Sequence, residues 1–236
     1  MKCPIEQLFF ISLLVLLPAC CRYVDWGKRN VYQGIEVCDE SANVRRYLRS
    51  VSIYSQFSTC AMFDVLWLSD AVRTTYACVN SARLGKDEEH ARAFLWRQLE
   101  ENKHYITFYV LSLYDVPLDG ANATWAVVLK INNNEYIPAD IKAIELAPEY
   151  RSFLACELSR FKTAYEVTFD ARAVEGQPLI DQSTRQIILE LRSVKKRARL
   201  IWYISSDGRV VSPYCIPYDE PDTLQDWPGT CEGGCQ

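Results

Sequence analysis

The chain has 236 residues, of which 49% are hydrophobic and 24% charged, with 9 glycines and 10 prolines. This balance excludes wholesale disorder, a collagen-like repeat and a multi-span membrane protein. Its 26 Lys and Arg stand against 30 Asp and Glu, a net charge of −4, so it lacks the basic surplus that a phosphate backbone demands and general nucleic-acid binding is excluded.

The first segment, Met1 to Cys21, is the most informative. Lys2 supplies a small basic start, and Leu8 to Leu17 is apolar apart from Ser12. As a helix that run rises only about 15 Å, half the hydrocarbon thickness, too short for a stable span. A short apolar run followed by small residues predicts a secretory signal peptide, with Pro18 breaking the helix ahead of the cleavage site. Within it, Leu17-Pro18-Ala19-Cys20 resembles the lipobox of bacterial lipoproteins: an aliphatic residue, a tolerated one, a small one, then cysteine. The resemblance implies transfer of a diacylglyceryl group to the Cys20 sulfur, cleavage after Ala19 and acylation of the new N-terminus. Each buried methylene contributes about 0.8 kcal/mol, and two or more chains give stable anchoring. The implied location is the extracytoplasmic side of a bacterial envelope membrane. An ordinary signal peptide, with Cys20 and Cys21 destined for disulfides, is the other reading.

Arg22 to Arg49 reads as a tether whose Tyr23, Trp26 and Tyr32 are apolar enough to dock in part. Val51 to Tyr54 predicts a short strand. Ser58 to Leu84 carries Ala61, Met62, Val65, Leu66, Leu68, Ala71, Val72, Tyr76 and Val79 near three- and four-residue spacing, which predicts one helix capped by Ser58 or Thr59 and ended by Gly85. A second helix is predicted over Asp87 to Asn102, with Ala91, Phe94, Leu95 and Leu99 as its apolar stripe and acids at its positive end.

From Tyr105 the period becomes two. Tyr105 to Tyr114 is apolar on both sides and predicts a central strand. Trp125, Val127, Leu129 and Ile131 share one face of the next strand, and Asn132 to Glu135 supplies a turn before an extended Tyr136 to Ile144. Pro148 to Arg160 reads as a short helix or ordered loop. Tyr165, Val167 and Phe169 alternate with polar residues, as do Ile187, Leu189 and Leu191, and Asp207-Gly208 predicts a hairpin. About seven strands after residue 104, so spaced, predict a sandwich. The expected fold is α+β: an N-terminal helical pair packed on an antiparallel β-sandwich-like sheet. Its expected parts are a signal peptide (1–19), anchor and tether (20–50), helical segment (51–104), β-sandwich-like domain (105–215) and acidic, cysteine-containing tail (216–236).

Of ten cysteines, cleavage removes Cys3 and lipid occupies Cys20, and exported thiols commonly pair. Cys215, Cys231 and Cys235 are the candidates, since Gly233 and Gly234 permit a tight reversal in the tail. On one unbroken helix Cys60 and Cys78 would lie about 27 Å apart, beyond disulfide reach, and read as buried thiols.

Candidate chemistry is sparse. His90 and His104 are the only histidines, and no nucleophile motif accompanies them. Asp115 and Asp119 are spaced as in a strand-end loop, a turn composition that also offers paired carboxylates for glycoside hydrolysis. Arg192, Lys195, Lys196, Arg197 and Arg199 form the one basic cluster, a solvated hairpin or a contact for anionic lipid or polysaccharide. The expectation is a membrane-anchored binding or scaffolding module with an envelope protein or polysaccharide as partner, and without catalytic residues, metal or cofactor. The alternatives are a carbohydrate-active envelope hydrolase and a secreted disulfide-containing protein without lipid.

Overall fold

A computed structural model describes residues 44–55, 58–113, 115–154, 157–173, 175–205 and 209–211, all within the unit Glu40–Gln236. The elements among them are β1 (Leu48–Ser55), β2 (Ser58–Trp67), α1 (Asp70–Arg83), α2 (Glu88–His104), β3 (Tyr105–Leu113), β4 (Ala126–Ile131), β5 (Asn134–Tyr136), β6 (Asp140–Ile144), α3 (Pro148–Phe153), β7 (Lys162–Asp170), β8 (Gln186–Arg192), β9 (Arg197–Ile204) and β10 (Val210–Val211). The expected signal peptide, the lipobox-like segment, the expected acidic tail and the expected Asp207-Gly208 turn lie outside the described residues.

The strands form two antiparallel five-stranded sheets, ordered β1-β2-β3-β7-β6 and β10-β9-β8-β4-β5. Alternation decides which side chains enter the space between them. Phe63, Val65 and Trp67 of β2, Phe108 and Val110 of β3, and Tyr165, Val167 and Phe169 of β7 are buried from the first sheet; Val127, Leu129, Ile131, Ile187, Leu189, Leu191, Leu200 and Trp202 are buried from the second. Trp202 touches both Trp67 and Phe108, with ring centroids 6.4 and 5.5 Å away, and Phe63 meets Trp125 at 5.2 Å. The sheets therefore pack face to face through a dry aromatic and aliphatic core. The indole Nε1–H of Trp202 is satisfied by the Tyr47 carbonyl at 2.8 Å.

The helices cover the opposite face of the first sheet. Tyr76 of α1 stacks on Tyr150 of α3 at 4.3 Å, and Tyr150 meets Tyr109 of β3 edge-on at 4.9 Å. Burial pushes the phenols of Tyr109 and Tyr150 well above the ordinary tyrosine range. Arg73 of α1, only 3% exposed, donates to Asn102 at 2.5 Å and Glu101 at 2.9 Å in α2 and to Thr107 of β3 at 3.4 Å. One buried guanidinium thus ties both long helices to the sheet.

This arrangement corrects the expected α+β fold. Among the described residues the fold is mostly β, β1 and β2 precede α1, and α1 and α2 are inserted between β2 and β3 rather than forming a helical pair ahead of the sheets. Ser58 to Leu84 is not one helix. Its first part is β2, buried on both faces: Phe63, Val65 and Trp67 enter the sandwich, while Asp64 and Leu66 are buried on the other side. Burial on both faces makes a strand read as a continuous apolar run, which mimics helical spacing. The helix starts instead at Ser69, whose Oγ accepts from the Val72 N–H at 3.5 Å, and Gly85 ends it with φ +60°. Cys60 and Cys78 consequently sit on different elements, β2 and α1, and both are exposed rather than buried.

Candidate functional site

No described helix covers the outer face of the second sheet, and the basic cluster gathers there. On β9, Ala198, Leu200, Trp202 and Ile204 point inward, so the period of two sends Arg197, Arg199 and Tyr203 outward. On β8 the same rule turns Glu190 and Arg192 outward, and on β4 Val128 and Lys130. Pairing then fixes neighbours across strands: Glu190 opposes Arg199 and Val128, Arg192 opposes Arg197, and Lys130 opposes Glu135 of β5.

At the centre is Glu190, whose side chain is 0% exposed although it faces outward. Arg192 Nε and Arg197 Nε both lie 2.7 Å from its Oε1. Lys130 Nζ stands 3.0 Å from its Oε2, and Arg199 Nε 3.4 Å. The aliphatic stems of these cations roof the carboxylate and keep water away. Burial works against ionising Glu190, but hydrogen bonds from Arg192 and Lys130 prevail and hold its carboxyl below the usual range. Glu135 grips Arg192 with two bonds of 2.6 and 2.9 Å and Lys130 with one of 2.9 Å. These bonds pull Glu135 down to about 2, while Arg192 is raised by the same two carboxylates. Four cations against two carboxylates leave a positive surplus. That surplus faces water chiefly at Arg197 and Arg199, each 55% exposed. The lattice offers guanidinium donors to carboxylate, sulfate or phosphate groups.

The other candidates do not converge. His90 is exposed at the start of α2, its Nδ1 2.7 Å from Oδ1 of Asp87, the helix cap. His104 ends the same helix, about 21 Å further on, with Glu100 at 3.7 Å. Asp115 is exposed and Asp119 half-buried in the β3–β4 connection. Among the described residues no group of three His, Cys, Asp or Glu side chains is placed to hold a metal ion. Nor does any described helix have the length and apolarity to cross a membrane. An open cleft of about 290 Å³ lies between the end of α2 and the β7–β8 connection, with Ile106, Pro178 and Ile180 as apolar walls and Lys103 and Arg172 at its rim. It lacks a paired acid and base. Cys20, Cys215, Cys231 and Cys235 lie outside the described residues.

Sequence reasoning located the arginines and lysines of β8, β9 and their loop but missed Glu190, Lys130 and Glu135. The available signal was a Glu at an outward position of a strand otherwise rich in Ile and Leu. Equally hidden were the buried pair Asp64–Lys162, which joins β2 to β7 within the first sheet, and Glu149–Arg83, 2.6 Å apart, in which a buried carboxylate of α3 meets a half-exposed guanidinium of α1. The sequence matches no protein-family profile and no curated protein.

Proposed function

We propose that this chain is a bacterial envelope lipoprotein, held on the extracytoplasmic side of a membrane by acyl chains on Cys20. Its β-rich body serves as a binding or scaffolding module without catalysis. Anchoring rests on the Leu17-Pro18-Ala19-Cys20 pattern. Binding rests on one observation: Lys130, Arg192, Arg197 and Arg199 assemble on the sheet face that no described helix covers. A lattice of this kind suits an acidic envelope protein or polysaccharide, since forked guanidinium groups meet carboxylates with two parallel bonds. Buried Glu190 keeps the arginines in place before the partner arrives, which reduces the ordering cost of association.

Two measurements test the two halves. The mature protein purified from its native membrane is expected to have the mass of the chain from Cys20 onward plus acyl groups, and Cys20→Ala is expected to move it to the soluble fraction. An unmodified Cys20, or a variant that still sediments and resists high-salt washing, defeats the anchor. For the face, Arg197→Glu with Arg199→Glu is expected to weaken retention on alginate, a carboxylated polysaccharide, by about tenfold or more, because two attractive contacts become repulsive. Unchanged retention removes the face from the proposal.

A further inference from the structure

The β8–β9 hairpin closes through Ser193, Val194, Lys195 and Lys196. Its reversal is held by its own groups: the Ser193 N–H donates to the Lys196 carbonyl at 2.8 Å, and the Lys196 N–H to Ser193 Oγ at 3.0 Å. Neither central residue has a positive φ, so the turn asks nothing special of them. Polar or small residues are the ordinary choice at such a tip. Here the tip carries Val194, 101% exposed, followed by Lys195. Among the described residues nothing packs against this valine.

Its surroundings extend the pattern. Lys196 Nζ donates to the Tyr54 carbonyl, drawing the end of β1 against the hairpin, and Tyr54 is 60% exposed. Leu113 at the end of β3 opposes Lys162 at the start of β7, at the same end of the sandwich. Just before Lys162, the exposed ring of Phe161 lies 4.7 Å beneath the Arg160 guanidinium. Acids lie at this end too, but away from β1: Asp115 and Asp119 follow β3, two strands along the first sheet, and Glu145, paired with Arg151, follows β6 at its far edge, which confines the apolar and basic surface to the Tyr54–Val194 corner. An exposed apolar tip flanked by ammonium groups matches the interfacial layer of an anionic bilayer, where aliphatic and phenolic groups sink between headgroups and lysines meet phosphates.

We propose that this end of the sandwich rests on an anionic lipid bilayer, Val194 and Tyr54 entering the headgroup layer with Lys195 and Lys196 beside lipid phosphates. The contact goes beyond the lipid on Cys20, because it belongs to the folded body and orients it. Strands then stand along the bilayer normal, and the outer face of the second sheet looks sideways, open to a partner.

The test uses the full chain with Cys20→Ser in every arm, so that acylation contributes to none and the N-terminal apolar run contributes equally to all. Sedimentation is measured with phosphatidylcholine vesicles, with and without phosphatidylglycerol. Binding is expected to require phosphatidylglycerol. Val194→Ser is expected to weaken it about tenfold, and Lys195→Ala with Lys196→Ala about twentyfold. Val194→Ser is expected to leave alginate retention and the thermal midpoint unchanged, since the side chain touches no core. Binding that ignores phosphatidylglycerol, or that survives all three substitutions, overturns the proposal. So does a result in which only the lysines matter and they affect alginate and vesicles alike, because that describes a general polyanion site. Failure here leaves acylation of Cys20 to its own mass measurement.

Discussion

Glu190 shows how a charged residue survives without water. Removing a carboxylate from solvent costs several kcal/mol, and the cost is met only where partners surround both oxygens. Here Arg192 and Arg197 take one oxygen and Lys130 the other. Deleting the carboxylate would leave four cations facing one another across neighbouring strands, so it serves chiefly to let a basic face fold. Glu135 plays the same part at the rim, with a measurable consequence. Its folded pKa, about 2, lies below the ordinary 4.5, so its stabilisation is complete above the ordinary value and lost as pH falls toward the folded one. Glu135→Gln is expected to be less stable than the parent at pH 6, with the difference shrinking as pH drops from about 4.5 toward 2. Urea midpoints measured at several pH values check this; a gap that stays constant or widens contradicts it.

Elements reveal where local pattern and pairing part company. In β7, β8 and β9 the apolar residues that enter the sandwich alternate with mostly polar ones on the other face, and that alternation is legible at once. Asn132 and Asn133, with φ of 49° and 67°, make the β4–β5 turn that their type favours, since asparagine tolerates the left-handed region. By contrast, Tyr136 to Ile144 reads as one extended segment yet splits, β5 pairing with β4 in the second sheet and β6 with β7 in the first. A change of sheet leaves the backbone extended, so periodicity cannot register it. The helix α2 is legible for the opposite reason. None of its residues is buried, so capping by Asp87, helix-favouring residues and surface pairs such as Arg92–Glu88, 2.5 Å apart, shape it locally.

At the scale of the whole molecule, stability resides in the joint between the sheets, and Trp202 is its keystone. The ring is fully buried, contacts Trp67 and Phe108 of the facing sheet, and its N–H fastens the segment before β1. Trp202→Ala removes a large buried side chain and one of the two hydrogen bonds that the Tyr47 carbonyl accepts, the other coming from the Trp67 N–H. It is expected to cost about 3–5 kcal/mol, seen as a marked fall in the urea or thermal midpoint. A loss below about 1 kcal/mol would mean that the sheets are held together elsewhere. The helical layer adds a second joint through Arg73, so the first sheet is covered on both sides and the second on one. Among the described residues that asymmetry leaves one broad sheet face uncovered, the face on which the proposed binding rests.

Read alone, the sequence determined the inward positions of β4, β7, β8 and β9, the turn at Asn132, the start of α2 and the presence of one basic cluster. Each of these depends on residues within a few positions of one another. Only the tertiary structure decided that Ser58 to Trp67 is a strand, which sheet each strand joins, and that Lys130, Glu135 and Glu190 belong with the arginines. The reason is physical: strand pairing brings together residues far apart in the chain, such as Glu135 and Arg192, and burial on both faces erases the alternation that identifies a strand.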